Sequence, residues 1–451
     1  MRIKLPAFSL VAILFSVFTY GQQLEFSGNA SVLGLSGTDE ELPFWMYHNT
    51  FGRIEANTNA FTLLNANVGK GFGENSYLEV GGGVLYNDGL ERQVRADEWY
   101  LSYQYKWLGF EGGKKQPIEN YDGIASVNTD MIWNNNARPR PGVRLFTAHP
   151  VALTKSKRLL FEAEYGDYFL DDERYVEGAR FHGKSLAFLY RFDKGWQVKG
   201  GLRHTVMWGG NSPRFGQQPE GFGDYLRAVF SLPGGEGATE SDQINTLGNA
   251  VSGYFFHLSK NWQNWYGEFI WNNLQEDSSG RNLSNLPDGR YALYLKNKKE
   301  QHWFRSAIYE FIYTKSQSAW ADDFSADDDY FNNGQYPGGY TYNGMIIGTP
   351  FFLLSPNEDG VYSNRIVVHH FGGLIGVGNF NFRGRVSFRK NYSSPGRAYY
   401  GEPYNGPKNI ISGDLQVTWR NAFTPLHFWV AADHSNINDN GAVGIGLSRS
   451  W

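Results

Sequence analysis

The chain has 451 residues, no cysteine, 17% aromatic and 19% charged residues, 54 glycines and a formal net charge of -4. So many rings and so little charge exclude an intrinsically disordered chain, and the excess of glycine and aromatic residues disfavours a helical bundle. The absence of cysteine excludes disulfide bonds, and the negative charge offers no basic surface for nucleic acid.

The chain begins with the features of a secretory signal peptide, predicted to span residues 1–21. Arg2 and Lys4 supply the positive start, and an apolar stretch runs from Ala7 to Phe18 before a plausible cleavage site. The alternative is an uncleaved membrane anchor, for which the apolar stretch is short. Beyond this segment no apolar run reaches about 18 residues, so strands would have to carry any membrane role.

Alternation of apolar and polar residues with period two recurs along the rest of the chain. From Ile411 to Arg420 the odd positions are apolar or glycine and the even positions are polar, and the stretch from Phe380 to Arg389 repeats this pattern. Such stretches have about 9–11 residues, the length of a tilted strand that crosses a bilayer. Similar alternation occurs at 99–107, 159–165, 186–192 and 196–202.

We therefore predict an all-β protein, a large antiparallel transmembrane β-barrel of about 16–18 strands with long extracellular loops, formed by residues 22–451. Short connections such as 378–379 alternate with long ones such as 116–150 and 276–301, which is typical of barrels. The mean hydropathy of -0.47 fits, because only every second strand residue would meet lipid. The alternative is a soluble β-sandwich, which also alternates.

Several predicted strands begin or end with an aromatic residue, as in the girdles at the two membrane interfaces of barrels. The last segment, Val443 to Trp451, alternates and ends on an aromatic residue, like the C-terminal signal that the barrel assembly machinery reads. These features predict the bacterial outer membrane as the location, with its lipids and the assembly machinery as partners. The aromatic residues are Trp99, Trp107, Trp196, Trp262, Trp271, Trp303, Tyr313, Trp419 and Trp451.

Three short motifs suggest chemistry but fit a structural role better, and no metal or cofactor is predicted. Residues 178–185 match the phosphate-loop pattern, yet the alternation after them predicts a strand where that loop requires a helix. His369 and His370 are neighbours in a strand and point to opposite faces, so they cannot share a metal ion through that spacing. The acidic residues in 322–329 could hold calcium, but they lack the EF-hand pattern, and a solvated loop is favoured.

Arg383, Arg385 and Arg389 share one parity of a predicted strand, so they form a basic row on its lumen face. Such a row could guide or hold an anion or acidic polymer, because guanidinium pairs well with carboxylate and phosphate. The favoured alternative is a ladder of salt bridges with carboxylates of neighbouring strands. The candidate partners are Glu162, Glu164 and Asp414.

Two predicted loops and a strand end combine flat rings with amide and guanidinium groups, the mixture that sugars bind. Apolar sugar faces stack on aromatic rings, and sugar hydroxyls pair with polar side chains. The alternative, equally supported, is that these rings pack the loops together or plug the barrel. The candidate polysaccharide-binding residues are Trp133, Arg138, Arg140, Trp208, Tyr336, Tyr340 and Tyr342.

Several segments together resemble the capsule assembly Wzi family, in the form found among Bacteroidetes-like bacteria. The resemblance implies an outer-membrane β-barrel of about 18 strands, a lectin that helps to attach capsular polysaccharide to the cell surface. Enterobacterial members have a helical bundle that plugs the periplasmic side, whereas residues 22–61 carry no convincing helical repeat, so a plug would be reduced, placed elsewhere or missing. The segments are Leu42–Asn49, Phe51–Ile54, Arg203–Gly210, Tyr342–Phe352, Ser363–Ile366 and His369–His370.

The sequence thus predicts a binding protein without catalytic chemistry, whose extracellular loops bind a capsular or other surface polysaccharide through many weak contacts. One alternative is a porin or exporter channel for anions or oligosaccharides, with the basic row at its constriction. Another is an outer-membrane hydrolase, which would need a nucleophile and its base to meet across the barrel.

Overall fold

The first and last strands pair with each other and close an antiparallel β-barrel in a computed structural model of the chain. The described part of the chain forms a wall of 18 strands, which confirms the predicted fold class and strand number. The predicted signal peptide lies outside the described residues. These residues are 24–276, 282–318, 328–355, 360–392, 407–421, 423–436 and 438–451.

Each wall strand pairs antiparallel with its neighbours in the chain, so the barrel has a simple up-and-down topology. β6 consists of two segments separated by a break, and both pair with β7. The strands are β1 Glu25–Gly37, β2 Ala60–Phe72, β3 Ser76–Asn87, β4 Val94–Tyr105, β5 Leu108–Lys114, β6 Gly142–Thr147 with Val151–Ala152, β7 Leu159–Phe169, β8 Arg180–Arg191, β9 Trp196–Trp208, β10 Asn249–Asn261, β11 Trp265–Asn272, β12 Gly289–Asn297, β13 Phe304–Tyr313, β14 Arg365–Val377, β15 Phe380–Tyr392, β16 Lys408–Trp419, β17 Leu426–Ser435 and β18 Asp439–Ser450.

Short turns join the strands at one end of the barrel, and the long loops lie at the other end. Outer-membrane barrels direct their short turns to the periplasm and their long loops outward, so the long loops here are extracellular. This arrangement brings segments that are far apart in sequence to one end of the molecule. The extracellular loops discussed below are L1 (38–59), L2 (88–93), L3 (115–141), L4 (170–179), L5 (209–248), L6 (273–288) and L7 (314–364).

The strand residues alternate between the membrane and the lumen, as the period of two predicts. In β16, Ile411 and Leu415 are exposed on the membrane side, whereas Ser412 and Asp414 are buried on the lumen side. The pleat of a strand sends successive side chains to opposite faces, and lipid selects apolar residues on the outer one. The sequence pattern therefore identifies which face of each strand meets the membrane.

The geometry of the strands also shows how two of the short motifs are arranged. His369 is exposed and His370 is fully buried, which confirms that the two imidazoles point to opposite faces. Residues 178–185 lead into strand β8 and not into a helix, so the match to the phosphate-loop pattern occurs by chance.

An aromatic belt surrounds the short-turn end and contains six of the nine aromatic residues predicted to mark strand ends. Trp99, another of the nine, lies in the middle of β4, so its prediction as a strand end is wrong. The tryptophans of the belt lie in or next to the turns and at the C-terminus, with exposed rings. Indole rings favour the interface between lipid and water, so this belt marks the periplasmic rim of the membrane. The belt residues are Trp107, Trp196, Trp262, Trp303, Trp419 and Trp451.

Two strands lie inside segments that the sequence predicted as loops. The first segment of β6 falls within 116–150 and β12 within 276–301. The first segment of β6 has only 6 residues, too few to show a clear alternation. β12 does alternate, but it stands between turn-forming residues and a lysine-rich stretch that hide it. Both strands form regular hydrogen-bonded ladders with their neighbours. This pairing stabilises them as strands, although their own sequences do not identify them clearly.

The described helices are short and belong to the extracellular loops, apart from a turn in the periplasmic link before β9. No helix of the described residues is long and apolar enough to span a membrane. In L1 the described helix has only 4 residues, so the helical plug of the enterobacterial relatives is not found there. The helices are α1 Phe44–Tyr47, α2 Phe222–Phe230 and α3 Glu240–Ile244, with single 3-10 turns at Tyr121–Gly123 and Asp193–Gly195.

Candidate functional site

Three extracellular loops fold back into the barrel and build a hydrophobic cluster inside it, which we call the inner core. L1 contributes Trp45, L3 contributes Met131 and L7 contributes Tyr340, all without exposed surface. Phe181 of β8 and Val368 of β14 join the same cluster from different parts of the wall. The inner core therefore spans the lumen and links loops to wall. Its largest members are Trp45, Phe181, Tyr330, Phe331, Tyr340, Tyr342, Phe351 and Phe352.

Helix α1 is fixed to the wall by charged side chains of β15 and β17. The Phe44 amide donates to Asp433 at 2.8 Å, and Arg385 donates to the Trp45 carbonyl at 3.0 Å. The guanidinium of Arg389 lies 3.9 Å from the centre of the Phe44 ring, a cation–π contact. The backbone groups left open at the ends of so short a helix are thus satisfied by the lumen face of the wall.

L3 is pinned to the wall by a buried ion pair. Glu310 of β13 accepts hydrogen bonds from Arg290 Nε of β12 and from the Ser126 amide of L3, each at 2.5 Å. His370 Nε2 of β14 donates to the Ile124 carbonyl of L3 at 2.9 Å. Arg290, Glu310 and His370 have no exposed surface. Because a buried charge is costly without its partner, this arrangement fixes L3 in one position.

Asparagine side chains connect the three loops to one another. Asn49 of L1 donates to the Ser126 carbonyl at 2.8 Å, and Asn134 of L3 donates to the Asn49 side chain at 3.0 Å. Asn136 of L3 donates to the Ile346 carbonyl of L7 at 2.9 Å. Loops carry backbone groups that strands do not pair, and these amides satisfy them in the interior. L1, L3 and L7 therefore form one packed unit.

The structure places the three predicted tyrosines in the packing of the loops. Tyr336, Tyr340 and Tyr342 are buried, with at most 4% of their surface exposed. Tyr336 donates to the Gly209 carbonyl at 3.1 Å, and the Tyr340 hydroxyl lies 2.8 Å from that of Thr205. These contacts correct the expectation that the ring faces lie open to sugars. They fit the alternative, in which the rings join the loops inside the barrel.

The other predicted polysaccharide-binding residues divide into two groups. Trp208 and Arg140 are buried, whereas Trp133 and Arg138 keep part of their surface exposed. The Arg140 guanidinium lies 4.3 Å from the centre of the Trp133 ring. Arg138 donates to the side chain of Asn343 in L7. Sugar contact at Trp133 and Arg138 stays a prediction.

The basic row faces the lumen, as its parity predicts. Arg385 donates to both oxygens of Asp414 at 2.8 and 2.9 Å, which confirms this salt bridge of the favoured alternative. Arg383 lies 3.7 Å from Glu119 of L3, and Arg389 contacts the ring of Phe44. The row thus holds the loops in place, and Arg383 and Arg385 also line a lumen cavity of about 340 Å³.

The other two carboxylates proposed for that ladder have different partners. Glu162 pairs with Lys199 at 2.5 Å, and Glu164 lies 3.6 Å from Arg144 and 3.8 Å from Arg203. These strands lie on another part of the wall from β15, so the proposed pairing of Glu162 and Glu164 with the row is wrong. Cross-strand neighbours, which the sequence does not reveal, decide the pairing.

Two ionisable loop residues have pKa values far from their ordinary range. Burial raises the pKa of Asp288 in L6 to about 6, although the carboxylate accepts hydrogen bonds from the Gln317 amide and the Tyr330 hydroxyl. Burial, with Arg389 nearby, lowers the pKa of His48 in L1 to about 3. His48 is therefore neutral at physiological pH, and Asp288 carries a charge that ties L6 to L7.

An extracellular depression remains between the tips of L1, L2, L4 and L7, and we call it the outer groove. It consists of a hollow of about 580 Å³ and a smaller one of about 250 Å³, which share Asp172, Glu173 and Gly344. Tyr175 of L4 lines the smaller hollow with an exposed ring. Tyr175 could not be predicted as a site residue, since nothing in its local sequence distinguishes it from other loop tyrosines. Further lining residues are Glu40, Asn57, Glu91, Arg138, Asn343 and Thr341.

A serine and a histidine meet inside the barrel, as a hydrolase would require. The Ser387 hydroxyl lies 2.8 Å from His370 Nδ1, and Glu310 lies 3.7 Å from the other ring nitrogen. All three side chains lack exposed surface, and the Trp45 ring lies 5.2 Å from that of His370. A substrate cannot reach this serine, so the group supports the loops and gives no support to the hydrolase alternative.

The acidic segment considered for calcium is only partly described. Asp322, Asp323 and Asp327 lie outside the described residues. Asp328 accepts a hydrogen bond from the Ser318 hydroxyl at 2.7 Å, and Asp329 accepts one from Asn332 at 2.9 Å. Within the described part of the chain, no group of three or more histidines and acidic residues could hold a metal ion.

Fold and site together define a class of protein, a membrane-spanning β-barrel whose lumen is occupied in part by its own extracellular loops. A family model described as "Capsule assembly protein Wzi" matches residues 45–352, from α1 to the inner part of L7. The chain belongs to this capsule assembly Wzi family, and its location is the outer membrane. The residues that build the inner core thus lie largely inside the matched region.

Solved structures agree with this fold. Wzi of Escherichia coli, described as an outer membrane protein involved in group 1 capsule assembly and as a carbohydrate-binding β-barrel, has 13% identity and a TM-score of 0.61, with 98% of this chain and 87% of that chain covered. The outer membrane protein OprD of Pseudomonas aeruginosa has 9% identity and a TM-score of 0.52, with 95% and 94% covered. At such identities the likeness shows the fold. No curated protein matches the chain in sequence.

Proposed function

We propose that this protein binds a capsular or other surface polysaccharide at the outer groove and assists the attachment or assembly of the capsule at the cell surface. The observation that carries the proposal is a polar depression on the extracellular side of a barrel whose loops pack inside the lumen. The printed description of the Escherichia coli protein as a carbohydrate-binding barrel involved in capsule assembly supports it.

The chemistry of the outer groove suits sugar hydroxyls. Exposed carboxylates such as Glu40 and Glu91 accept hydrogen bonds from hydroxyls, and the amide of Asn57 both donates and accepts. The exposed ring of Tyr175 offers a flat apolar face on which a sugar ring can stack. A repeating polymer could engage several such weak contacts at once, which raises the overall affinity without a deep pocket.

The packing of loops inside the lumen favours binding over transport. A channel for anions or oligosaccharides needs an open path, whereas the inner core joins L1, L3 and L7 to the wall inside the barrel. Arg383, Arg385 and Arg389 are all engaged by loop or wall groups. The proposed role is therefore binding without catalysis, with outer-membrane lipids around the wall and the barrel assembly machinery as the partner that reads the C-terminal strand.

The double substitution Tyr175→Ala with Asn57→Ala tests the outer groove. We expect it to weaken retention of the cells' own polysaccharide by about thirtyfold, since a stacked ring and an amide are each worth about 1 kcal/mol and about 1.4 kcal/mol corresponds to tenfold. Binding is measured with the purified barrel in detergent. Alanine at Tyr336, Tyr340 or Tyr342 would disturb the packing of the loops instead, so those positions do not test sugar contact.

The matched control is Tyr190→Ala, which removes an exposed tyrosine from the membrane face of β8. It should leave retention unchanged. In cells, the double variant should shed capsule into the medium while total polysaccharide synthesis stays normal. Unchanged retention by a correctly folded double variant would contradict the proposal.

A further inference from the structure

A small cationic cavity lies where L3 meets the ends of β5 and β6. Its volume is about 70 Å³, and its lining includes four cationic side chains and one carboxylate, Glu111. A cavity needs about 10–15 Å³ on the same measure to hold one water molecule, so this one has room for a carboxylate or phosphate group. The cations are Lys115, Arg138, Arg140 and Arg144.

Arg140 is the unusual member of this set. It has only 6% of its surface exposed, and among the described residues it makes neither an ion pair nor a hydrogen bond. Its guanidinium lies 4.3 Å from the ring centre of Trp133 and 4.8 Å from that of Phe181. Rings compensate a buried charge only in part. Burial accordingly lowers the pKa of Arg140.

The neighbouring arginines also leave donors unused. The buried Nε atoms of Arg138, Arg140 and Arg144 all lack a hydrogen-bond partner. Arg144 shares Glu111 with Lys115, at 3.1 and 3.9 Å, so the single carboxylate is already engaged. Three guanidinium groups border this one small cavity, and Arg140 has no anionic partner among the described residues, so its guanidinium can bind an oxyanion there through charge-assisted hydrogen bonds.

We propose that this cavity binds an anionic substituent of the polysaccharide, a carboxylate or a phosphate group, with Arg140 as its main partner. The inference rests on the proposed function. Arg138 lines both the cavity and the outer groove, so a polymer in the groove can direct a substituent inward. The many carboxylates of the groove repel a densely charged polymer, which favours isolated acidic groups among neutral sugars.

The test compares the cells' native polysaccharide with the same polymer after chemical reduction of its carboxyl groups to alcohols. The native barrel should retain the untreated polymer about tenfold more tightly, the size expected for a charge-assisted pair. Arg140→Met keeps the length and apolar packing of the side chain and removes its charge. This variant should bind both forms equally. Arg158→Gln, at an exposed ion pair in a periplasmic turn, is the matched control and should behave like the native protein.

Competition identifies the anion. Glucuronate, inorganic phosphate and neutral glucose are each added to the native barrel with bound polymer. Displacement by glucuronate alone assigns a carboxylate, and displacement by phosphate alone, with loss of sensitivity to carboxyl reduction, assigns a phosphate ester. If neither anion displaces more polymer than glucose does, and Arg140→Met binds normally, the anion site is overturned while the proposed polysaccharide binding stands. Failure of the native barrel to retain any polymer overturns both.

A second observation concerns helix α2 of L5. The N-terminus of the helix is capped by Asp224, whose carboxylate accepts a hydrogen bond from the Gly221 amide at 3.1 Å. The helix ends at Ser231, whose φ is 52°. Ala228 packs with Val206 and Trp208 of β9. These two strand residues share the parity of the exposed Leu202, so the helix lies on the outside of the barrel.

The opposite face of α2 is apolar and uncovered. Phe222, Leu226 and Phe230 recur every four residues and so share one face, and Phe222 and Phe230 are 77% and 66% exposed. We infer that this face lies in the outer leaflet of the outer membrane, because it continues the apolar outer surface of β9 and its neighbours. A short amphipathic helix at this level would anchor L5 at the membrane surface.

Spin labels on single cysteines test this placement, since the chain has no cysteine of its own. In lipid nanodiscs, a label at Leu226→Cys should be accessible to oxygen and shielded from a water-soluble nickel complex, like a label at Leu293→Cys on the membrane face of β12. Glu91→Cys in L2 provides the aqueous reference. A Leu226 label that favours the nickel complex, or that is shielded from both reagents, overturns the inference.

Discussion

Replacing Glu310 by glutamine is expected to release L3 from the wall of the barrel. The substitution leaves the charge of Arg290 buried and unpaired, and weakens the acceptor of the Ser126 amide. Removing one partner of a fully buried ion pair costs about 3–5 kcal/mol. The other strands keep their ladders, so the effect should appear as protease cleavage within residues 115–141 while the barrel itself stays folded.

The matched control is Glu162→Gln, which also removes a lumen carboxylate from a lysine or arginine partner. The ion pair of Glu162 with Lys199 is partly exposed, so we expect its removal to lower the free energy of unfolding by less than about 1 kcal/mol and to cause no new protease cleavage. The double variant Arg290→Met with Glu310→Met removes the unpaired charge, because apolar residues of similar size can replace a buried ion pair, but it leaves the Ser126 amide without its acceptor, so it should restore only part of the protection. Cleavage equal in Glu310→Gln and Glu162→Gln would show that the ion pair does not hold L3.

Trp45→Ala is expected to open a conducting path through a barrel that is otherwise nearly silent in planar bilayers. Trp45 is the largest fully buried side chain, and its ring contacts Phe351, His370 and the Arg385 guanidinium. Deleting such a ring from a packed core costs about 3–5 kcal/mol, part of it for the cavity left behind. The loops would then separate for part of the time, and ion currents should rise above those of the native protein.

The exposed Trp303 provides the comparison, since Trp303→Ala removes the same side chain from the periplasmic aromatic belt. It should leave the barrel as silent as the native protein. Large steady currents through the native barrel would contradict closure of the lumen by the loops and revive the channel alternative. Silence of Trp45→Ala would show that the remaining loop contacts close the lumen without this ring.

The wall of the barrel could be predicted from the sequence because its cause is local. A strand that faces lipid on one side must alternate apolar and polar residues. From this alternation we could predict that the protein is all-β, that Arg385 faces the lumen, and that His369 and His370 point in opposite directions. The two strands that escaped prediction, β6 and β12, are short or hidden among turn residues. Pairing with neighbours on both sides stabilises them, and that pairing cannot be read from their own residues.

The site was harder to predict because its contacts join distant segments. The mixture of rings and polar groups in L3 and L7 suits sugar binding and loop packing equally, and the sequence could not choose between them. In the structure, Tyr340 and Tyr342 are buried in the inner core, which favours loop packing at these two positions. The structure also brings Tyr175 to the surface beside L7, a position that nothing in its local sequence indicates.

By itself, the sequence determined the class of protein, the membrane and lumen faces of the strands with clear alternation, such as β15 and β16, and the tryptophans of the aromatic belt, since each follows from the geometry of a single strand in lipid. Only the tertiary structure decided that the loops fold inward, that Arg385 pairs with Asp414 while Glu162 pairs with Lys199, and that Arg140 is buried without an anionic partner among the described residues. These are contacts between residues far apart in the chain, fixed by strand register and by the packing of loops whose sequences have no period.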